Sequence, residues 1–200
     1  MGVMITASHN TYEYNGLKFF DSNGNKISKE IENQIENIVL NDNEYEKIST
    51  IDSETGKAKR LEDVIGRYSE YLKLSLKKNT NFKNIEVVLD CANGATYQIA
   101  PMIFWELDCK VVSIGNQPDG KNINAHCGAV NVKKLSKKVL DTNSDIGFAF
   151  DGDGDRVIIV DENGNTIDGD KILALLTKEL ISNNKLNKRT VVATMMSNLG

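Results

Sequence analysis

The apolar and polar positions of the chain follow two rhythms. Val3 to Thr6 is a short apolar run that reads as a strand. Asn10 to Asn25 is rich in Asn, Gly, Ser and Asp and reads as loop, interrupted by Leu17-Lys18-Phe19-Phe20. Ser28 stands where a helix cap belongs, and Ile31, Ile35, Ile38 and Val39 recur at three- and four-residue spacing behind it. Asn41 to Lys59 holds few apolar residues and a glycine, Gly56, which makes it the linker candidate. A second helix is expected around Leu61 to Leu76.

Beyond it the rhythm changes. Ile85 to Leu89 is apolar except for Glu86, the pattern of a strand covered on both faces. Ala95 to Leu107 reads as a helix that Pro101 must kink or restart. Lys110 to Ile114 is a strand, Gln117-Pro118-Asp119-Gly120 a turn, and Val132 to Leu140 a helix. Ile146 to Phe150 is a strand ending at an acidic loop, and Val157 to Val160 is a strand leaving it towards an Asn163-Gly164 hairpin turn. Strand, helix, strand, helix, strand predicts an α/β unit with a mostly parallel sheet and flanking helices. Asp170 is read as the cap of a last helix whose Ile172, Leu175, Leu176 and Leu180 share a face, and Thr190 to Thr194 as a final strand. Apolar residues begin at the first positions and a strand pattern sits near the last, so the sheets are expected to be truncated at both ends and to leave an unpaired edge.

Composition adds little to this picture. With 40% hydrophobic and 26% charged residues the chain is an ordinary globular one, and a net charge of -4 gives no basic footprint for nucleic acid. Cys91, Cys109 and Cys127 form no Cys-x-x-Cys pair and read as free thiols of a cytoplasmic protein. No apolar run approaches the roughly 20 residues a membrane helix needs, and no signal-peptide pattern is present. Gly2 with Thr6 fits the loose myristoylation pattern, but Val3, Met4 and Ile5 are better used as core-seeking strand residues.

Asp151-Gly152-Asp153-Gly154-Asp155-Arg156 is the strongest chemical signal. Its three carboxylates repel one another, and hard divalent cations choose oxygen ligands. The two glycines allow alternate carboxylates to converge. An EF-hand is excluded: Glu162 falls at the twelfth position, but Arg156 occupies the sixth, where that loop needs glycine, and a strand follows. Magnesium completed by a phosphate suits the ligand set, and the Arg156 guanidinium has the fork to grip that phosphate. Ser8 closes the first strand without the Gly-x-Ser-x-Gly of a nucleophile elbow. Taken singly, Ser8, His9 and Lys18 are better read as a strand end and a solvated lysine than as chemistry.

Together these stretches say more. Ala7-Ser8-His9-Asn10, Asn15-Gly16-Leu17-Lys18-Phe19-Phe20 and Asp151 to Arg156 strongly resemble the α-D-phosphohexomutase superfamily. Leu89-Asp90-Cys91-Ala92-Asn93-Gly94-Ala95, Asn122-Ile123-Asn124 with Cys127-Gly128, Val160-Asp161-Glu162 with Asp168-Gly169-Asp170, and Met196-Ser197-Asn198-Leu199-Gly200 are similar to its phosphoglucosamine mutase branch. Thr11 stands where the family usually has proline, and Ala129 where it commonly has serine.

The resemblance implies an enzyme that interconverts glucosamine 6-phosphate and glucosamine 1-phosphate. Ser8 would carry the phosphoryl group, and Ser8, Asp151, Asp153 and Asp155 would hold Mg2+. Lys18 and Arg156 would serve as acid-base and phosphate-binding groups, and His9 and Asn10 would shape the serine loop. The implied domain plan is the later part of a first domain over 1–57, a second domain over 58–165 and the opening of a third from 166 to 200. The family's sugar-reading and phosphate-gripping loops have no counterpart here. The chain is therefore expected to be a partial mutase, inactive alone, with a hexosamine phosphate as substrate and possible completion by domains on another chain. A mannose or glucose phosphate mutase fragment, and a remnant that only binds magnesium or phosphate, are the alternatives. No nucleic-acid or membrane partner is implied.

Overall fold

The structure is a computed structural model that describes residues 1–48 and 56–197. Strand β1 (Gly2–Thr6) pairs antiparallel with β2 (Gly16–Phe20), Val3 opposite Phe19 and Ile5 opposite Leu17. The stretch expected to be mainly loop thus contains a paired strand, preceded by a short helical turn at Tyr12–Tyr14. Helix α1 (Lys29–Leu40) starts as its sequence predicts, with Ser28 Oγ accepting from the Ile31 amide and Glu30 and Glu32 in the electropositive first turn. The expected linker from Asn41 opens instead as a second helix, α2 (Asp42–Ile48), because Asn41 Oδ1 accepts from the Asn43 amide and so caps it. Residues 49–55 of that stretch lie outside the described residues. Helix α3 (Val64–Lys73) is shorter than the apolar pattern suggests; Leu74 N–H closes it on Glu70 and Tyr71.

The main sheet holds β3 (Glu86–Asp90), β4 (Lys110–Ile114), β5 (Ile146–Phe150), β6 (Val157–Asp161) and β7 (Thr166–Ile167) in the order β4-β3-β5-β6-β7. The first three strands are parallel, whereas β5–β6 and β6–β7 are antiparallel. The sheet is mixed because the acidic loop is too short for a parallel crossover, which takes a dozen residues or more, and so turns the chain back as a hairpin. Gly164, in the left-handed region, makes the turn to β7, as the Asn163-Gly164 pair predicts.

Helix α4 (Ile99–Glu106) covers one face of this sheet, and α5 (Lys133–Thr142) the other. Alternation along β3 divides the core: Val87 and Leu89 join Cys91, Ala100 and Cys109 under α4, while Val88 joins Leu135, Val139, Ala149 and Val160 under α5. Contact is close, since a Cβ on Gly147 would lie 2.7 Å from Val139 Cγ2 and 2.9 Å from Leu135 Cδ1. Pro101 does not kink α4. It occupies the first turn, where a missing N–H costs no hydrogen bond, so the helix begins four residues later than its apolar pattern. Across the α3–α4 contact, Glu106 accepts from Ser69 Oγ at 3.0 Å and from Lys73 Nζ at 2.8 Å.

Two further expectations are corrected after the sheet. Helix α6 (Gly169–Ser182) is capped by Asp168 rather than Asp170: Asp168 has the extended backbone of a cap and its Oδ1 accepts from Lys171 N–H at 3.0 Å. Leu175, Leu176 and Leu180 on its apolar face are exposed. Thr190 to Thr194 is not a strand; a strand needs a ladder partner, and among the described residues it has none. Residues 198–200 of the last quoted stretch lie outside the described residues. The three cysteines are buried and unpaired. Among the described residues no helix is long and apolar enough to cross a membrane.

Candidate active site

The site forms where the loop after β1 meets the loop between β5 and β6. Ser8 follows the last residues of β1 with φ 53°, a left-handed backbone that only local bonds make acceptable for a non-glycine residue. Ser8 N–H donates to Thr6 Oγ1 at 2.9 Å, and Asn10 N–H donates to Ala7 O at 2.9 Å, which closes the segment into a tight turn. Lys18 is carried in by β2, directly opposite Met4. Its Nζ donates to Asp153 Oδ2 at 2.9 Å, across 135 residues of sequence.

The acidic loop brings Asp151, Asp153 and Asp155 together with one oxygen of each inside a 4.8 Å group. The two glycines do different work. Gly154 takes φ 74°, a conformation that a side chain would strain. Gly152 supplies room: a Cβ there would stand 2.5 Å from Ser8 O and 2.6 Å from Asn124 Nδ2. The acidic loop therefore lies directly against the serine loop. On its other side, Ala95 N–H donates to Gly152 O at 2.8 Å.

Charge in this loop is unevenly met. Asp151 is fully buried, and burial pushes its carboxyl above the ordinary carboxylate range; the Asp155 and Asp153 charges push the same way, against the Arg156 amide bond to its Oδ1. Burial acts on Asp153 too. There the hydrogen bond and charge of Lys18, helped by the Ser8 hydroxyl, outweigh it and hold the carboxyl below its ordinary value. Asp151 Oδ2 and Asp153 Oδ1 remain buried with no hydrogen bond. Buried carboxylate oxygens without donors are costly, and a divalent cation is what the three oxygens together would accept. The donor set is all oxygen, which suits a hard ion. Arg156 stays half exposed, its Nε 3.8 Å from Asp151 Oδ2 and 4.0 Å from Asp155 Oδ1, so its fork is not committed to either carboxylate.

Of the residues singled out from the sequence, Ser8, Lys18, Asp151, Asp153, Asp155 and Arg156 converge here. His9 flanks Ser8, but its Nδ1 is buried and makes no hydrogen bond. Two further residues hold the site together, and neither is among the catalytic or metal-holding candidates read from the sequence. Asp90, at the end of β3, accepts from Ala92 N–H at 3.0 Å and Gly128 N–H at 2.8 Å; burial raises its carboxyl against those two bonds. Asn124 donates from one side-chain amide to Ser8 O at 2.9 Å and to Asn10 O at 2.7 Å. A buried aspartate ending an apolar run was a legible sign of a pinned loop; nothing local to Asn124 announced its partners.

The serine loop set against an aspartate triad belongs to a three-layer α/β unit, and comparison with known families says which one. The family model described as phosphoglucomutase/phosphomannomutase, alpha/beta/alpha domain I, matches residues 1–46. The model for alpha/beta/alpha domain II of the same family matches residues 66–164. The chain belongs to the phosphoglucomutase/phosphomannomutase family. Its likeness within that family is to the phosphoglucosamine mutase branch. It is 48% identical over 197 residues to the phosphoglucosamine mutase of Campylobacter fetus subsp. fetus, covering 98% of this chain and 44% of that protein. It is 47% identical over 199 residues to the phosphoglucosamine mutase of Acetivibrio thermocellus, covering 100% of this chain and 44% of that protein. A crystal structure of a phosphoglucomutase/phosphomannomutase family protein from Burkholderia thailandensis matches with TM-score 0.70 and 29% identity, over 91% of this chain and 38% of that one. The chain thus spans less than half the length of the curated relatives it matches.

Proposed function

We propose that this chain is the serine- and metal-bearing part of a phosphoglucosamine mutase, moving a phosphoryl group between the two ends of a hexosamine phosphate through Ser8. The observation that carries the reading is the packing of the serine loop on the aspartate triad, with Lys18 bridging to Asp153. On this reading residues 1–57 are the later part of a first domain, 58–165 a second and 166–200 the opening of a third, in keeping with family matches at 1–46 and 66–164. The unpaired thiols of Cys91, Cys109 and Cys127 suit a reducing, cytoplasmic setting.

The residues fit a step in which a sugar hydroxyl attacks the phosphorus of phosphorylated Ser8. The bond from phosphorus to Ser8 Oγ breaks, and the hydroxyl proton passes to a base. Ser8 Oγ then attacks the phosphorus at the other end of the bisphosphorylated sugar, the bond from that phosphorus to the sugar oxygen breaks, and the freed sugar oxygen takes back the proton. Lys18 is the group beside the serine loop able to carry a proton or steady a phosphate oxygen. Arg156, with its uncommitted fork, is suited to a phosphate dianion. Asp151, Asp153 and Asp155, with an oxygen of the Ser8 group, would hold Mg2+, whose charge offsets that of the phosphoryl group when bound. His9, half-buried with its Nδ1 enclosed, shapes the loop.

Mass spectrometry of the chain after incubation with a bisphosphorylated hexosamine and Mg2+ tests the reading. Phosphate on Ser8, lost in Ser8→Ala, is expected. No phosphate, or phosphate on another residue, would overturn it.

A further inference from the structure

We propose that Asn124 is a positioning residue whose side-chain amide clamps the serine loop onto the aspartate loop. The role of Ser8 as phosphoryl carrier rests on the function proposed above; the clamp itself rests on geometry. The two hydrogens of Asn124 Nδ2 go to Ser8 O at 2.9 Å and Asn10 O at 2.7 Å, the carbonyls on either side of His9. Two acceptors facing one amide fix which end of it is nitrogen. Asn124 is 4% exposed, and its Oδ1 is left without a hydrogen bond. The residue thus pays for an idle buried acceptor in order to aim both donors at the serine loop.

The clamp is anchored on the sheet side. Asn124 N–H donates to Ala92 O at 2.9 Å, and Ala92 N–H in turn donates to Asp90 Oδ1 at 3.0 Å. Asn124 takes φ 55°, in the left-handed region. Gly152 completes the arrangement, because its missing side chain leaves room for both Ser8 O and Asn124 Nδ2. The chain of contacts therefore runs from the end of β3, through Ala92 and Asn124, to the left-handed Ser8. The turn's own bonds to Thr6 and Ala7 close it but do not reach the triad, and the Ser8 hydroxyl beside Asp153 acts through the side chain rather than the loop backbone. A loop held only by its own turn would move relative to the carboxylates, and misplacement by about an ångström is enough to cost a reaction of this kind about a hundredfold.

The test uses the 200-residue chain and its Asn124→Ala and Asn124→Asp variants, with Mn2+ as the metal probe. The Asp variant keeps the shape but sets oxygens against two carbonyls. The Ala variant removes the donors without adding charge. Hydrogen exchange of residues 7–11 should quicken about tenfold or more in both variants, while β3 and β5 keep wild-type protection. In wild type, Mn2+ at the triad should broaden the NMR signals of Ser8 and His9. In Asn124→Ala that broadening should weaken although Mn2+ affinity changes by less than about threefold, a split that general destabilisation would not produce. Unchanged exchange at residues 7–11 together with unchanged broadening overturns the clamp. Failure of Mn2+ to bind wild type would count against the metal reading alone, and exchange at residues 7–11 would then decide the clamp by itself.

Discussion

Lys18 Nζ lies 2.9 Å from Asp153 Oδ2, tying the strand after the serine loop to the middle carboxylate of the triad. The ammonium occupies one oxygen of Asp153 and leaves Oδ1 buried without a donor. It also places a positive charge where a cation would bring its own. Lys18→Met should therefore tighten Mn2+ binding severalfold, since like charges a few ångströms apart repel by about 1–4 kcal/mol at aqueous to surface dielectrics. Asp153→Asn should weaken binding at least about tenfold, because the ligand charge goes with it. Isothermal titration calorimetry on the two variants checks the opposed signs.

Cation binding should stabilise the fold, because the triad is assembled only in the folded chain. A ligand at about a hundred times its dissociation constant adds about 2.7 kcal/mol. For a domain of this size that is a rise in Tm of roughly 5–10 °C. Differential scanning fluorimetry with Mg2+ should show the rise, and EDTA should reverse it. Asp151→Asn should abolish most of it, since Asp151 Oδ2 is one of the triad's two buried oxygens without a donor. A flat melting curve across the Mg2+ series is the contrary result.

Gly152 and Gly154 should fail in different ways when replaced by alanine. At Gly152 a Cβ meets Ser8 O at 2.5 Å and Asn124 Nδ2 at 2.6 Å, so the two loops must separate. Overpacking of this kind costs about 1–3 kcal/mol, and hydrogen exchange of residues 7–11 should quicken while the strands stay protected. At Gly154 the cost is one of conformation, with φ 74° and Thr96 Cγ2 2.8 Å from the new atom. That change should distort the triad and lower Mn2+ affinity, leaving exchange at residues 7–11 nearer wild type.

The residues that converge at the site were largely legible because they lie in contiguous runs. Asp151 to Arg156 carries its ligand spacing within one loop, and Ser8 and Lys18 gain meaning from the motifs around them. Elements with a clear period, such as α1 and β3, were legible for the same local reason. What escaped depends on partners. Leu17 to Phe20 is a strand because β1 lies beside it, and Thr190 to Thr194, with a similar pattern, is not one because it has no neighbour among the described residues. Asp168 and Asp170 both suit a helix cap by type, and only the backbone turn chooses Asp168. Asn124 acts across 116 residues, which no local pattern expresses.

The three buried cysteines give a prediction about alkaline pH. Burial pushes the Cys91 thiol from 9.0 up to about 11, with the nearby Thr96 hydroxyl opposing, and raises Cys127 from 9.0 to about 11 with the Asp90 charge assisting. A thiol whose folded pKa lies above its unfolded value binds its proton more tightly in the native state. The associated stability is fully present below pH 9.0 and is lost as pH rises from there through about 11. Urea unfolding should accordingly show stability falling across that window. In Cys91→Ala/Cys127→Ala the absolute stability should be lower, from the lost packing, but the slope against pH should flatten. At neutral pH both thiols should also react with iodoacetamide far more slowly in the folded chain than in urea, since neither is ionised nor exposed. A double variant that keeps the full alkaline slope would remove the cysteines from the account.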